Sequence, residues 1–399
     1  MTSDRRVVGL AVAATVAAVV PAFLVGALAV QIRADLDFGT GRLGLALAAF
    51  GATAACGSIV LGRAVETWGP YRSLRLAVAA NGVVMIAVAA LARSWAVLVV
   101  LLAVAGIGNA LAQPAANALL ARGVRDHRLG LAFGAKQAAL PLATLLAGAA
   151  VPVIALTVGW RWAFAVAAAL SAAVVVALMR AEPLAAPSPA ESGGARTPLP
   201  HVALGMLAVA VGLGAAAASS LVTFLVSSAV HAGLSPAAAG WLLSAGSAIG
   251  IASRLAAGAA ADRRSGRHLL VVVGMLAGGA VAFTLYAIDQ AWLYVAVTPL
   301  AFGAGWAWPG LFNFAIVRLH PSAPGAATGI TQTGTYVGLV VGPLTFGALV
   351  DVASYEAAWL VTSAWALTAA ACMVVGRQLL RAARRQSPVN SGRPRTPMS

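Results

Sequence analysis

The chain has 399 residues, of which 61% are hydrophobic and only 9% are charged. Water-soluble domains are far less apolar, so this composition excludes a soluble globular protein and predicts that lipid is the solvent. The formal net charge of +15 suggests nucleic acid at first sight. Its arginines lie mostly in short loops and the C-terminal tail, however, where basic residues attract anionic lipid. We expect a membrane protein without a nucleic-acid partner.

Twelve continuous apolar stretches are each long enough to cross roughly 30 Å of hydrocarbon. None alternates with the period of two that is typical of barrel strands, so all are predicted to be helices. The stretches cover residues 7–30, 43–65, 74–92, 95–121, 129–157, 160–180, 201–230, 237–261, 268–288, 291–317, 323–350 and 355–376.

The basic residues predict how the chain lies in the bilayer. With a cytoplasmic N-terminus, 20 of the 26 fall on the cytoplasmic side, four fall in outside loops, and Lys136 and Arg254 lie within spans. This asymmetry follows the positive-inside rule. We therefore predict a multi-pass protein of the cell (inner or plasma) membrane with both termini in the cytoplasm.

A linker divides the chain into two halves. Residues 181–200 contain five prolines and two glycines, a composition typical of flexible connections. We predict an N-terminal six-helix bundle at 1–180, a cytoplasmic linker at 181–200, a C-terminal six-helix bundle at 201–380 and a disordered cytoplasmic tail at 381–399. We expect a monomer without a cofactor.

The two halves repeat at an offset of about 195 residues. Matching pairs are Gly130 with Gly325, Gly134 with Gly329, Gln137 with Gln332, Gly108 with Gly303, Pro114 with Pro309, Gly62 with Gly258, and Glu66 with Asp262. With six helices in each half, the repeats run parallel. Parallel repeats place a substrate site near the bilayer midplane, at the interface between them.

Two loops carry a family resemblance. The segment after the eighth span reads Gly258-Ala-Ala-Ala-Asp262-Arg263-Arg264-Ser265-Gly266-Arg267 and resembles the signature loop of the major facilitator superfamily (MFS). The segment from Gly62 to Arg72 is a degenerate copy, with Glu66 for the aspartate and Thr67 where a basic residue is usual. Gly159-Trp160-Arg161 before the sixth span is also similar to the family. The resemblance implies an all-α membrane protein, with twelve transmembrane helices in two parallel six-helix repeats (the MFS fold), that transports by alternating access.

The resemblance also implies that these loops hold the cytoplasmic side closed. Glycines let helices approach closely in lipid, and carboxylates accept hydrogen bonds from helix N-termini or arginines. The alternative is that the loop charges only set topology. The predicted gating residues are Gly62, Glu66, Gly69, Arg72, Gly258, Asp262, Arg263, Gly266 and Arg267.

Lys136 is the only lysine of the chain and lies inside the fifth apolar span, while all eleven acidic residues map to loops or helix ends. A lone ammonium there costs roughly 2.5 kcal/mol or more, so it predicts a functional site. Lys136 and Arg254 lie about 10 Å and about 8 Å from the centres of their spans, toward the cytoplasm. The family fold brings the fifth and eighth helices together, so an anionic substrate would supply the missing charge. Alternatively, Lys136 snorkels to Asp126, and Arg254 braces the loop at Asp262.

Polar stripes complete the predicted site. Asn109, Gln113 and Asn117 are spaced i, i+4, i+8 and share one helix face. The predicted substrate-binding residues are Lys136, Arg254, Gln137, Asn109, Gln113, Asn117, Gln332, Tyr336, Trp306 and Asn313. Four prolines are expected to kink their helices at the cavity: Pro114, Pro141, Pro309 and Pro343.

We predict a secondary active transporter for a small solute, an organic anion or an amphipathic metabolite, coupled to a proton or a counter-solute. Lys136 is itself a candidate proton carrier. One alternative is an efflux pump for drugs or hydrophobic compounds, although the fifth span lacks most of the glycines typical of such antiporters. A second alternative is a non-transporting membrane sensor or receptor. No nucleotide loop, metal cluster or nucleophile–base pair predicts an enzyme.

Overall fold

The computed structural model describes residues 2–125, 128–181, 200–263, 268–320 and 324–386. Within these ranges the chain forms twelve helical rods and no strand. The rods are α1 (Thr2–Ala27 and Ala29–Leu36), α2 (Thr40–Trp68), α3 (Pro70–Leu91), α4 (Trp95–Gly123), α5 (Leu129–Gln137, Ala139–Ala150 and Val151–Ala155), α6 (Trp160–Met179), α7 (His201–His231), α8 (Pro236–Arg263), α9 (His268–Tyr286), α10 (Ala291–Leu300, Ala301–Trp306 and Trp308–Leu319), α11 (Pro324–Val352) and α12 (Tyr355–Gln386).

The predicted all-helical membrane architecture is confirmed. Ten of the described helices are long and apolar enough to span a membrane, and the two pieces of α2, Thr40–Ser58 and Val60–Trp68, make an eleventh when taken together. The helix α8 is not among these eleven. The described part of the chain therefore has the expected twelve helices. Ten or eleven of them are long and apolar enough to span a membrane.

The helices alternate in direction, so their ends lie on two sides of the molecule. We call the side with the start of α1 the terminal side. There Asp4 pairs with Arg125 at the end of α4, at 2.9 Å, and Arg6 donates to the Arg180 carbonyl at the end of α6. The opposite side, where α1 turns into α2 and α11 turns into α12, is called the distal side.

The hydrophobic core shows that the two halves meet on the distal side. One large cluster there joins residues of α1–α6, such as Leu28 and Phe164, to residues of α7–α12, such as Phe224 and Phe346. On the terminal side, two separate clusters occur in the described part of the chain. One lies within α1–α6, and the other lies within α7–α12. Between the halves, α2 packs on α11, α5 on α8, and α1 on α7.

Small residues make the distal junction possible. A Cβ built on Gly148 of α5 would lie 2.7 Å from the carbonyl oxygen of Gly240 in α8, and one on Gly347 of α11 would lie 2.7 Å from the Thr40 carbonyl oxygen at the start of α2. Such distances leave no room for a side chain, so the backbones themselves are in contact. Gly41 adds a polar contact, because its N–H donates to Asp351 Oδ2 of α11 at 2.8 Å.

Two of the four predicted proline kinks coincide with breaks in helix geometry. α5 is interrupted at Ala138, just before Pro141, and α10 becomes a π-helix over Ala301–Trp306, just before Pro309. Pro114 and Pro343 lie inside continuous helices. Interruptions of this kind release backbone carbonyls for other partners and are frequent at functional sites.

Candidate functional site between α5 and α8

Lys136 points toward α4. Its side chain is only 5% exposed, and its Nζ donates to Gln113 Oε1 at 2.6 Å. The Gln113 amide in turn donates to Asn109 Oδ1 at 3.0 Å. The amide stripe that the sequence predicted on α4 is therefore the polar partner of Lys136. The proposed snorkelling partner, Asp126, lies outside the described residues.

Arg254 points across to the first half of the chain. Its Nη1 donates to the Gln137 carbonyl of α5 at 3.0 Å, and its Nη2 donates to the Trp306 carbonyl of α10 at 2.9 Å. The guanidinium carbon lies 4.8 Å from the centroid of the Trp306 ring, within the range of a cation–π contact. Because Gln137 follows Lys136 directly, Arg254 reaches the backbone next to Lys136.

Neither cation pairs with a carboxylate that the structure describes. Among the residues that the structure describes, the ion pairs involve other basic groups, and Arg254 Nε is buried without a hydrogen-bond partner. Amide and carbonyl oxygens satisfy hydrogen bonds but do not neutralise a charge, and a buried uncompensated charge is costly.

The other five predicted binding residues lie on α4, α10 and α11. Trp306 is buried against Arg254, while Gln332 and Asn313 are half-buried on α11 and α10. Tyr336 interacts with Ser58 of α2, which is a contact between the halves. Asn117, one turn from Gln113, is exposed and takes no part in the hydrogen-bond chain of Lys136. The roles of these residues stay predictions.

The predicted gating residues that the structure describes lie on the terminal side, at or near the ends of α2, α3 and α8. A Cβ built on Gly62 or Gly258 would have nothing within 4 Å. Glu66 and Arg72 are exposed, and Gly69 links α2 to α3 with a φ of +79°, a left-handed conformation that favours glycine. Asp262 and Arg263 end α8. Gly266 and Arg267 lie outside the described residues.

A second buried polar cluster lies within α7–α12, and it is neutral. The Trp359 indole donates to Ser228 Oγ at 2.7 Å and to the Tyr294 hydroxyl at 3.0 Å, and Ser228 and Tyr294 also bond to each other. Tyr286 bonds to Thr298 at 2.8 Å. Because these groups satisfy one another, the cluster fixes the packing of the half and leaves no vacancy for a ligand.

Sequence reasoning missed three features of the interface. These are the Gln113 partnership of Lys136, the backbone carbonyls that hold Arg254, and the distal contacts of Gly41, Gly148 and Asp351. The carbonyl of Gln137 has a sequence signal, since Pro141 lacks the N–H that would bond to a carbonyl four residues earlier. The glycines have a weaker one, because small residues mark close helix contacts in lipid.

A membrane-spanning bundle of parallel six-helix halves with a polar site at their interface is the architecture of a secondary transporter. The profile of the Major Facilitator Superfamily matches residues 10–330 and 207–398. The chain belongs to this superfamily, and the predicted family is confirmed.

Solved structures support the fold. The chain is similar to the crystal structure of a mutant of the nucleoside transporter NupG, with a TM-score of 0.72 and 14% identity over 92% of this chain and 99% of that one. It is also similar to a bacterial homolog of the human lysosomal transporter Spinster in an inward-facing and occupied conformation, with a TM-score of 0.71 and 14% identity over 96% of this chain and 97% of that one. No curated protein matches the sequence.

Proposed function

We propose that this MFS transporter moves a small organic anion by alternating access, with Lys136 and Arg254 as the charge partners of the anion. The observation that carries the proposal is that Arg254 of α8 bonds to the backbone of Gln137, next to the buried Lys136, and that neither cation has a carboxylate partner among the described residues. Lysine contributes a point charge, and arginine can grip a carboxylate or a similar oxyanion with two parallel hydrogen bonds. An anion between them would remove the cost of both uncompensated charges.

The packing of the halves supports alternating access. One continuous core closes the distal side, and separate cores leave the halves apart on the terminal side. The arginine asymmetry of the sequence assigns the terminal side to the cytoplasm. With that orientation, in the inner or plasma membrane, the structure is the inward-facing conformer, and the predicted gating loops make their contacts in the opposite conformer.

The sequence also limits the candidates for the coupling ion. No acid occurs at mid-membrane in the sequence, so the carboxylate carriers typical of proton-coupled pumps are missing there. Lys136 is the titratable group at the site, which makes it the candidate proton carrier, and a counter-solute of the same charge is the other possibility. One structural neighbour is a nucleoside transporter, which is a precedent for a small organic cargo on this fold.

Binding tests the proposal directly. Purified protein is screened by thermal shift against acetate, benzoate, succinate and inorganic phosphate, because ligands stabilise the folded state by mass action. A hit is then followed by uptake into proteoliposomes. We expect Lys136→Gln and Arg254→Gln each to weaken binding of the best anion by at least about tenfold. The matched control is Thr144→Ala, since this buried hydroxyl of α5 bonds to the Leu140 carbonyl of its own helix.

Three outcomes would contradict the proposal. Anion binding that is unchanged in both glutamine variants would show that the two cations do not bind the anion. Transport of neutral hydrophobic compounds that is indifferent to Lys136→Gln would indicate the efflux alternative. Binding without accumulation in proteoliposomes would indicate the sensor alternative.

A further inference from the structure

Arg254 connects the two halves of the transporter, whereas Lys136 does not. The hydrogen bond from Arg254 Nη1 to Gln137 joins α8 to α5. The bond from Lys136 to Gln113 joins α5 to α4, inside the first half. Arg254 therefore bridges the two halves, whereas the hydrogen bond of Lys136 stays within the first half.

The sequence creates the acceptor that Arg254 uses. In a regular helix, the Gln137 carbonyl would accept from the backbone N–H of residue 141. That residue is Pro141, which has no N–H, and the helix is interrupted at Ala138. The second acceptor, Trp306, ends the π-helical segment of α10 just before Pro309. Pro141 thus leaves the Gln137 carbonyl without its helical donor, and the Trp306 carbonyl lies where the helix geometry of α10 changes.

These carbonyls are weaker partners than an anion. They carry only partial charges, and the Nε–H of Arg254 is buried without a partner among the described residues. An oxyanion that approaches the guanidinium would accept from two of its N–H groups and add a full negative charge, which the carbonyls do not supply. An anion would consequently compete for Arg254 against Gln137.

We propose that the bond between Arg254 and the Gln137 carbonyl is a tie between the halves that the anionic cargo releases. The bond joins α8 to α5 in the conformer whose distal side is closed, and it contributes stability to that conformer. Cargo that binds the guanidinium takes it away from Gln137, and the halves are then free to open distally. This inference rests on the proposed function, because it assumes that the cargo is an anion bound at Arg254.

The tie is tested in the empty protein, which separates it from the question of cargo. Spin labels replace Thr157 at the distal end of α5 and Ala238 at the start of α8, both exposed, in a background with Cys56→Ser and Cys372→Ser. Double electron–electron resonance then measures the distance between the labels. We expect Pro141→Ala, which restores an N–H for Gln137, to raise the ratio of the distal-open to the distal-closed population roughly tenfold.

Matched variants make the result specific. Arg254→Lys keeps the charge but cannot span two carbonyls, so it should shift the ratio in the same direction and serves if Pro141→Ala does not fold. Lys136→Gln should leave the distances unchanged, because its bond stays within one half. Pro114→Ala removes a proline of α4, which takes no part in the bond between Arg254 and Gln137, and should also leave them unchanged.

Distances like those of the unsubstituted protein in both Pro141→Ala and Arg254→Lys would overturn the inference, as would an equal shift in Pro114→Ala. Such a result, with anion binding still dependent on Lys136, would leave the proposed function standing. If anion binding does not depend on Lys136 or Arg254, while Pro141→Ala still changes the label distances, the proposed function is contradicted instead.

Discussion

The interface between the halves has two very different ends. On the distal side, backbones touch at Gly148 and Gly240 and at Gly347 and Thr40, and one core runs through both halves. On the terminal side, a Cβ built on Gly62, Gly134, Gly258 or Gly329 would have nothing within 4 Å. Glycines are therefore available at both ends, but only the distal set is in contact in this conformer.

The difference shows what the internal repeat encodes. Two repeated pairs, Gly62 with Gly258 and Gly134 with Gly329, fall on the open side. Another pair, Gly44 with Gly240, matches at an offset of 196 residues and lies on the closed side, where a Cβ on either glycine would meet a backbone carbonyl of the other half. We infer that the repeat supplies glycines to both ends of the interface, and that each conformer is sealed by a different set of them.

The largest expected effect comes from adding one methyl group to the distal seal. Gly148→Ala places a Cβ 2.7 Å from both the Gly240 carbonyl and Ser244 Oγ, and overpacking of this kind costs about 1–3 kcal/mol. We expect the label pair on α5 and α8 to move apart. Gly134→Ala in the same helix is the control and should not change the distance. Equal label distances in the two variants would show that the distal and terminal ends of the interface do not differ in packing.

A smaller effect is expected at the start of α2. The Asp351 carboxylate accepts from the Gly41 N–H at 2.8 Å and so caps a helix of the other half. Removing a cap costs about 1 kcal/mol, so Asp351→Ala should favour distal opening by roughly fivefold. Asp351→Asn keeps an acceptor and should change little. Labels at Leu45 of α2 and Val352 of α11 measure the change, and indistinguishable distances in the alanine variant would exclude the cap as a latch.

The smallest effect concerns a distal group that lies within one half. Burial raises the pKa of the Asp289 carboxyl above its ordinary value, His231 at 3.8 Å lowers it and Glu356 raises it. A raised pKa means that the stabilisation from protonated Asp289 is complete below the ordinary carboxyl pKa of about 4 and is lost as pH rises through the elevated value. We expect Tm to fall over that range, and we expect this fall to be smaller in Asp289→Asn.

Location separates this prediction from the previous ones. His231, Asp289 and Glu356 all belong to α7–α12, so Asp289→Asn should alter stability without moving the labels that bridge the halves. A change of label distance in this variant would show that the distal side responds as a whole. An unchanged profile of Tm against pH would show that Asp289 does not titrate differently on folding.

The sequence predicts the features that depend on length, composition and repeat. Apolar stretches predict the helices, and the absence of a nearby acid marks Lys136. The convergence of Lys136 and Arg254 follows from the family resemblance, which places the fifth and eighth helices together. What the sequence does not predict is the rotation of each helix about its axis. That rotation decides that Lys136 meets Gln113, that Arg254 reaches the Gln137 carbonyl, and that Gly148 faces Gly240.

The position of the distal contact on α11 makes this helix a lever. α11 has 29 residues and is about 44 Å long. Gly347 touches α2 near one end, and Gly329 lies 18 positions away, or about 27 Å along the axis. In the proposed rocking motion, a rotation of about 10° around the distal contact would displace the Gly329 end by roughly 5 Å. The width of the passage is therefore governed by an angle between stiff helices, and a small angular change suffices to admit a solute.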